Sequence, residues 1–248
     1  MVVPVVLFGD SITEGIGSRR ISFQKDLQEM LGIEYGVENR ARTGSTVDFG
    51  LESASSGLPK GPGIAVVLYG NVDAQIRPSR TGMVFRRLPR RFRRPGMLMP
   101  RPFYSSRPLR RLGELIDDRL RLLFSKIIRW VDGTEQWVSL DDFRSSYIDL
   151  VKVLQAQGFA VVCCSCVYID EKLFPGSSVQ YERFNSVIDE LAGITNSMYV
   201  DLFNGMRRRV RFGGWESSFG ADHFHPNPLG YKFVASEIFR AIGSDSSF

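Results

Sequence analysis

The run Val2-Val3-Pro4-Val5-Val6-Leu7-Phe8, passing directly into Gly9-Asp10-Ser11-Ile12-Thr13-Glu14-Gly15, decides how the rest of the chain is read. An apolar stretch of strand length with no polar alternation belongs to a strand buried on both faces, as in a parallel sheet covered by helices. Gly9 allows a tight turn, and the polar residues after it lie past the carboxyl end of that strand. Working outward, similar runs predict strands over 64–69, 160–167 and 198–203, with a weaker candidate at 34–39. Helical spacing lies between them. Phe23, Leu27, Met30 and Leu31 form a short stripe, Phe143, Tyr147, Leu150, Val151 and Leu154 a longer one ending at Gly158, and Val187, Ile188 and Leu191 a third. Asn227 is suited to cap a last helix with Pro228 at its first position, and Leu229, Phe233, Val234, Ile238 and Ile242 form its apolar stripe. Strands alternating with helices predict an α/β protein whose central parallel sheet is covered on both faces. No repeat of solenoid period is present.

At 248 residues and 43% hydrophobic, the chain suits one domain, 1–248, with a sizeable core. No apolar run reaches the roughly 18 residues that span a bilayer. The apolar start lacks a basic n-region and a cleavage site, so it reads as a first strand and not a leader, and the expected location is cytoplasmic. Cys163, Cys164 and Cys166 sit in one strand-like run and read as buried core thiols. With no second Cys/His cluster to complete a ligand set, no metal is expected.

Residues 77–129 break the alternation. They carry 15 Arg and one Lys against Glu114, Asp117 and Asp118, a local net charge of +13 in a chain of +5, leaving −8 elsewhere. The stretch 86–94 is rich in Arg and Pro, a composition that opposes a regular helix and suggests an exposed arm or lid. From about 108 to 130, Leu112, Leu115, Ile116, Leu123 and Ile127 fall at helical spacing and predict an added amphipathic helix. The whole is read as an Arg/Pro-rich insertion at about 77–130.

The residues with chemistry lie at the two ends of the chain. Ser11 follows a buried strand, at the rim where open α/β sheets place their ligands, although a serine there, taken alone, is usually a turn or cap residue. It is not in a Gly-x-Ser-x-Gly elbow, because the residue two past Ser11 is Thr13. Both histidines stand in Ala221-Asp222-His223-Phe224-His225-Pro226-Asn227-Pro228. Asp222 and His225, three apart on a turn before a helix, can act as orienter and base for a serine hydroxyl. His223, adjacent to Asp222, is the weaker candidate for the base.

These two blocks resemble those of the GDSL/SGNH hydrolase family: Gly9-Asp10-Ser11-Ile12-Thr13-Glu14-Gly15 its first block, and Asp222 to Pro226, an Asp-x-x-His-Pro, its last. Asn227 and Leu229-Gly230-Tyr231 fit as well. The resemblance implies a flavodoxin-like three-layer α/β/α sandwich, with Ser11, Asp222 and His225 as the triad. It also implies an oxyanion hole. Asn39-Arg40-Ala41-Arg42-Thr43-Gly44 is similar to the second block and makes Gly44 the amide donor beside that of Ser11. The third block, Gly-x-Asn-Asp, is disturbed. Tyr69-Gly70-Asn71-Val72-Asp73 puts Val72 where Asn belongs if aligned on Gly70, and Tyr69 where Gly belongs if aligned on Asn71. Asn71 is therefore either a third donor from a shifted position or a residue of the strand-end turn.

The expected function is hydrolysis or transfer of an acyl ester, such as an acetyl or short acyl group on a saccharide or other small ester, through an acyl-enzyme on Ser11 and without a cofactor. The alternatives are a catalytically weak binding protein of the same fold and an Arg-driven binder of polyanions or membrane surfaces. The insertion is either a solvated loop, an oligomer contact between copies, or a docking surface for an anion: an acidic saccharide, a phosphorylated or coenzyme-A-linked acyl donor, or a membrane surface. Phe85, Phe92, Phe103 and Tyr104 among the arginines raise nucleic acid as a partner, but no nucleic-acid module is visible and none is expected.

Overall fold

The computed structural model describes residues 2–15, 22–59 and 62–244. In chain order the first half runs β1 (Val3–Gly9), α1 (Ser11–Glu14), α2 (Phe23–Leu31), β2 (Tyr35–Asn39), α3 (Val47–Ser55) and β3 (Gly63–Leu68). After β3 come β4 (Arg77–Pro78), α4 (Met83–Arg87), a 3-10 turn (Arg90–Arg93), α5 (Pro108–Val131) and β5 (Thr134–Glu135). Alternation resumes with α6 (Leu140–Ala156), β6 (Phe159–Cys164), α7 (Ser177–Ile194), β7 (Met198–Val200), α8 (Leu202–Gly213) and α9 (Pro228–Ser244).

The five long strands form one parallel sheet in the order β2-β1-β3-β6-β7. Val5 stands beside Val37 on one side and Ile64 on the other, and Val66 beside Val162. Every residue of β3 is buried, as are the last five of β1, because helices cover both faces. The helices pack in pairs, α2 with α9 and α3 with α6, one pair covering each face of the sheet. This is the flavodoxin-like order. The chain leaves β1 in one direction for β2 and returns past it for β3, which opens a crevice at the carboxyl ends of β1 and β3.

Three elements end earlier than their apolar runs, β3 by a single residue at Leu68. The strand expected over 198–203 stops at Val200, since Asp201 caps α8 by accepting from the Asn204 amide at 3.0 Å. That expected over 160–167 stops at Cys164. Cys163, Cys164 and Cys166 are fully buried, and burial pushes the Cys163 thiol up to about 11.

The segment after β3 has a small core of its own. Phe85, Leu88, Phe92 and Leu98 bury themselves against Ile128, with Leu120 and Phe124 alongside, and the Phe92 and Phe124 rings meet edge-on at 5.0 Å. The exposed arm expected at 86–94 is therefore anchored, not extended: its apolar residues fold onto α5 while its arginines stay in water. Asp132, beyond α5, accepts from the Phe85 amide at 3.0 Å and closes the start of α4. The helix α5 is present as expected, but its stripe is turned outward. Its buried positions are Asp118, Arg121, Ser125 and Ile128, while Leu112, Leu115, Ile116, Leu123 and Ile127 face solvent.

Candidate active site

Ser11 is the first residue of α1, directly past β1. Gly9 makes this turn possible: a Cβ there would collide with the Thr13 side chain and lie 2.8 Å from the Leu68 carbonyl oxygen. Asp10 caps α1 by accepting from the Ile12 amide at 2.9 Å. As the first helical residue, Ser11 has an amide with no carbonyl one turn back to receive it.

The other end of the chain meets this turn. Phe219 pairs with Pro226, and the Gly220 amide donates to the His225 carbonyl at 2.8 Å, which closes the loop between α8 and α9. Asn227 pins the loop to α9, accepting from the Gly230 amide at 3.0 Å. Within the loop, buried Asp222 accepts from the Phe224 and His225 amides at 3.1 and 3.0 Å through Oδ1. Its Oδ2 stands 2.6 Å from His225 Nδ1. With the ring proton held on Nδ1 by the carboxylate, His225 Nε2 is left to accept from Ser11 Oγ at 3.0 Å. A hydrogen-bonded chain Ser11–His225–Asp222 results, joining residues 214 positions apart.

Gly44 lies on the loop after β2. Its backbone is left-handed, with φ of +72°, where a side chain would be strained. The loop is tied to the end of β1: the Arg42 amide and the Ser45 hydroxyl donate to the Gly9 carbonyl at 3.1 and 3.2 Å. It is tied to α1 as well, because Glu14 accepts from both the Thr43 amide, at 2.6 Å, and the Thr43 hydroxyl. Gly44 is thereby held next to the turn that carries Ser11.

Asn71 follows β3, the neighbour of β1, and is fully buried. Its Oδ1 accepts from the Val167 amide at 2.9 Å and its carbonyl from the Tyr181 hydroxyl at 2.6 Å. Its Nδ2 has no hydrogen-bond partner among the described residues. Val72, the alternative in the disturbed block, is an apolar buried residue.

Two further carboxyls lie beneath the site. Burial raises Asp10 to about 6, opposed by the Ile12 amide and by the side chain of Asn71, which lies close without reaching hydrogen-bond geometry. Burial raises Asp73 to about 7, opposed by the Val47 amide, with the charge of Asp10 adding to the rise. Asp73 fastens the Asn71 turn to α3, accepting from Val47 at 2.9 Å and Gly70 at 3.0 Å. Sequence reasoning missed Asp10, Glu14 and Asp73 as supports of the site. Their neighbourhood in the Gly-Asp-Ser and Gly-Asn-Val-Asp turns was the available signal.

His223 stands apart from the hydrogen-bonded chain. It takes positive φ, its Nδ1 lies 2.7 Å from Asp170 Oδ2, and its ring stacks on Trp215 at 4.5 Å. Beside it opens a cavity of about 570 Å³ lined by Phe103, Tyr104, Arg111, Glu216, Phe219 and His223 among others. Among the described residues, no three His, Cys, Asp or Glu side chains group as metal ligands would, and no helix is long and apolar enough to cross a membrane.

A parallel β2-β1-β3-β6-β7 sheet with a serine past β1 and an Asp-x-x-His loop before the last helix defines the class of SGNH-type α/β/α hydrolases. The chain belongs to the GDSL-like lipase/acylhydrolase family, whose model matches residues 7–233, and ester hydrolysis is that family's chemistry. Solved structures share the fold. A lipase/acylhydrolase from Enterococcus faecalis superposes with a TM-score of 0.62 at 18% identity, over 97% of this chain and 95% of its own. The acetylxylan esterase Axe2 from Geobacillus stearothermophilus gives 0.62 at 17% identity, over 98% and 95%. A lipolytic protein of the G-D-S-L family from Veillonella parvula DSM 2008 gives 0.62 at 13%, over 98% and 100%. No curated protein sequence matches the chain.

Proposed function

We propose that the protein hydrolyses small carboxylic esters through an acyl-enzyme on Ser11. The observation that carries this reading is the chain of hydrogen bonds from Ser11 Oγ through His225 to Asp222, at 3.0 and 2.6 Å. His225 Nε2 takes the hydroxyl proton as Ser11 Oγ attacks the acyl carbonyl carbon. The tetrahedral oxyanion is met by the amides of Ser11 and Gly44, with Asn71 Nδ2 as a third donor. Collapse expels the alcohol, which leaves with the proton from His225. A water then attacks the acyl-enzyme and gives its proton to His225. The carboxylic acid departs, and Ser11 Oγ recovers the proton. Asp222 orients the ring and stabilises the imidazolium.

A short acyl group, such as acetyl on a saccharide hydroxyl, suits this reading. The acetylxylan esterase sharing the fold supports it by analogy. The test is labelling by a fluorophosphonate together with turnover of p-nitrophenyl acetate. Both are expected in the wild type and neither in Ser11→Ala. A Ser11→Ala protein that kept most of the rate would overturn the proposal.

A further inference from the structure

The outward stripe of α5 and the arginines beside it have no part in the chemistry above. Leu109, Leu112, Ile116, Leu123, Ile127 and Trp130 recur at helical spacing on one side of α5 and are 88, 57, 54, 50, 38 and 87% exposed. At about 1.5 Å per residue the stripe runs roughly 32 Å. A contiguous apolar ridge of this kind on a protein surface marks a site of contact with something else.

Charge indicates what that is. The acidic residues of α5 are all engaged within the segment. Glu114 holds the Ser105 amide and Arg110, Asp117 pairs with Arg101 and Arg121, and Asp118 holds the Arg101 amide and the Tyr104 hydroxyl. The exposed charges at the edge of the stripe are Arg119 and Lys126. The elements packed on α5 carry Arg86, Arg87, Arg90, Arg91, Arg93 and Arg94, all exposed. The segment's carboxylate pairs run through Arg80, Arg101, Arg110 and Arg121, and among the described residues these six arginines enter none.

A second copy of the chain fits poorly. Antiparallel pairing of two such helices centres near residue 119 and sets Arg119 beside its own copy, with no carboxylate in the stripe to offset it. Nucleic acid would answer the arginines but leave an aliphatic ridge in water, since base stacking needs aromatic faces. A bilayer surface with anionic lipid answers both: aliphatic and Trp side chains enter the boundary of headgroups and acyl chains while the cations meet lipid phosphates. We propose that α5 and the adjoining arginines dock the protein on an anionic membrane surface, with α5 lying in the interface plane. The same segment holds the loop carrying Asp222 and His225, for the Ala221 amide donates to the Pro102 carbonyl at 3.1 Å. Docking would thus place the site near the bilayer.

The experiment is co-sedimentation of the full chain with phosphatidylcholine vesicles, with and without about a third phosphatidylglycerol. It is run on the wild type, on Ile116→Ser/Leu123→Ser and on Arg90, Arg91, Arg93 and Arg94→Gln, each checked for wild-type melting and p-nitrophenyl acetate turnover. Expected is binding to the mixed vesicles only, weakened at least tenfold in partition coefficient by either variant and reduced as salt rises. Three results would overturn the proposal: no binding of the wild type to mixed vesicles, binding indifferent to Ile116→Ser/Leu123→Ser, or a wild-type dimer in sedimentation that this variant converts to monomer. The last would assign the ridge to a second copy.

Discussion

His223 and His225 stand two residues apart, yet each has its own carboxylate. His225 Nδ1 lies 2.6 Å from Asp222 and its other nitrogen faces Ser11, whereas His223 Nδ1 lies 2.7 Å from Asp170, 53 residues away in the chain. One loop thus carries two histidines, each paired with a carboxylate, and only one of them reaches the hydroxyl. Their consequences are separable.

His225→Ala should lower kcat for p-nitrophenyl acetate by several orders of magnitude with little change in melting temperature, because it removes the proton acceptor of Ser11. His223→Ala should leave kcat for this small ester within about tenfold, while removing the stack on Trp215. Steady-state kinetics on both variants checks the assignment. Equal losses, or the larger loss at 223, would mean the wrong histidine has been taken as base.

Glu14 touches no reacting atom in this scheme; it positions Gly44 through Thr43. Glu14→Ala should therefore lower kcat roughly tenfold with KM nearly constant, since a loosened donor is felt mainly in the transition state. Glu14→Gln, which keeps an acceptor oxygen for the Thr43 amide, should restore much of the loss. A change confined to thermal stability, with kcat intact in Glu14→Ala, would make the contact merely structural.

Asn71→Ala tests the disturbed third block. As a third oxyanion donor, Asn71 should be worth about 100-fold in kcat, the usual order for one such group. Loss of its Oδ1 also strands the buried Val167 amide, at a cost of about 1–3 kcal/mol in stability. The two effects are read independently, by kinetics and by urea unfolding. Lost stability with an unchanged kcat would place Asn71 in the strand-end turn alone.

Asp10 and Asp73 give the stability a pH dependence. Both hold their protons more tightly in the folded chain, at about 6 and about 7 against an ordinary 3.8. Between those values the native state binds more protons than the unfolded one. Their contribution therefore disfavours folding progressively as pH rises from about 4 to about 7, by an amount on the order of 3–4 kcal/mol for each group. Urea midpoints across this window should fall more steeply in the wild type than in Asp73→Asn. Parallel profiles would show that the slope arises elsewhere.

Four strands of the sheet were legible because they lie in uninterrupted apolar runs, whereas β2, Tyr35-Gly36-Val37-Glu38-Asn39, gave only a weak signal; the last helix was legible because Asn227 and Pro228 mark its start. The helix α3 was not. Its apolar residues are few, and Gly50, a poor helix former, stands at its middle because a Cβ there would press into the Tyr69 ring. The helix α8 was hidden because Leu202 and Phe203 extend the apolar run of β7, and only the Asp201 cap separates them. Ser11, Asp222 and His225 were readable from two short blocks, and the Asp–His contact is local. Asp170, Glu14 and Asp73 were not, because their partners come from 53, 29 and 26 residues away, distances no local pattern encodes. The helix of the Arg-rich segment was legible but its orientation was not: α5 buries Asp118, Arg121 and Ser125 and exposes its leucines, the reverse of what is usual for an amphipathic helix on a protein core.

The three thiols of the β6 region also make the molecule its own recorder of opening. Cys163 and Cys164 end β6 and Cys166 follows just past it; none has exposed surface, and burial holds all of them above the ordinary thiol range. An alkylating reagent can reach them only when the elements packed around the end of β6 open. Their modification rate under native conditions therefore counts excursions of the sheet's interior, much as amide exchange does for backbone groups. Because Cys166 lies next to Val167, whose amide holds Asn71, such a measurement would report how often the floor of the site comes apart without any label being introduced.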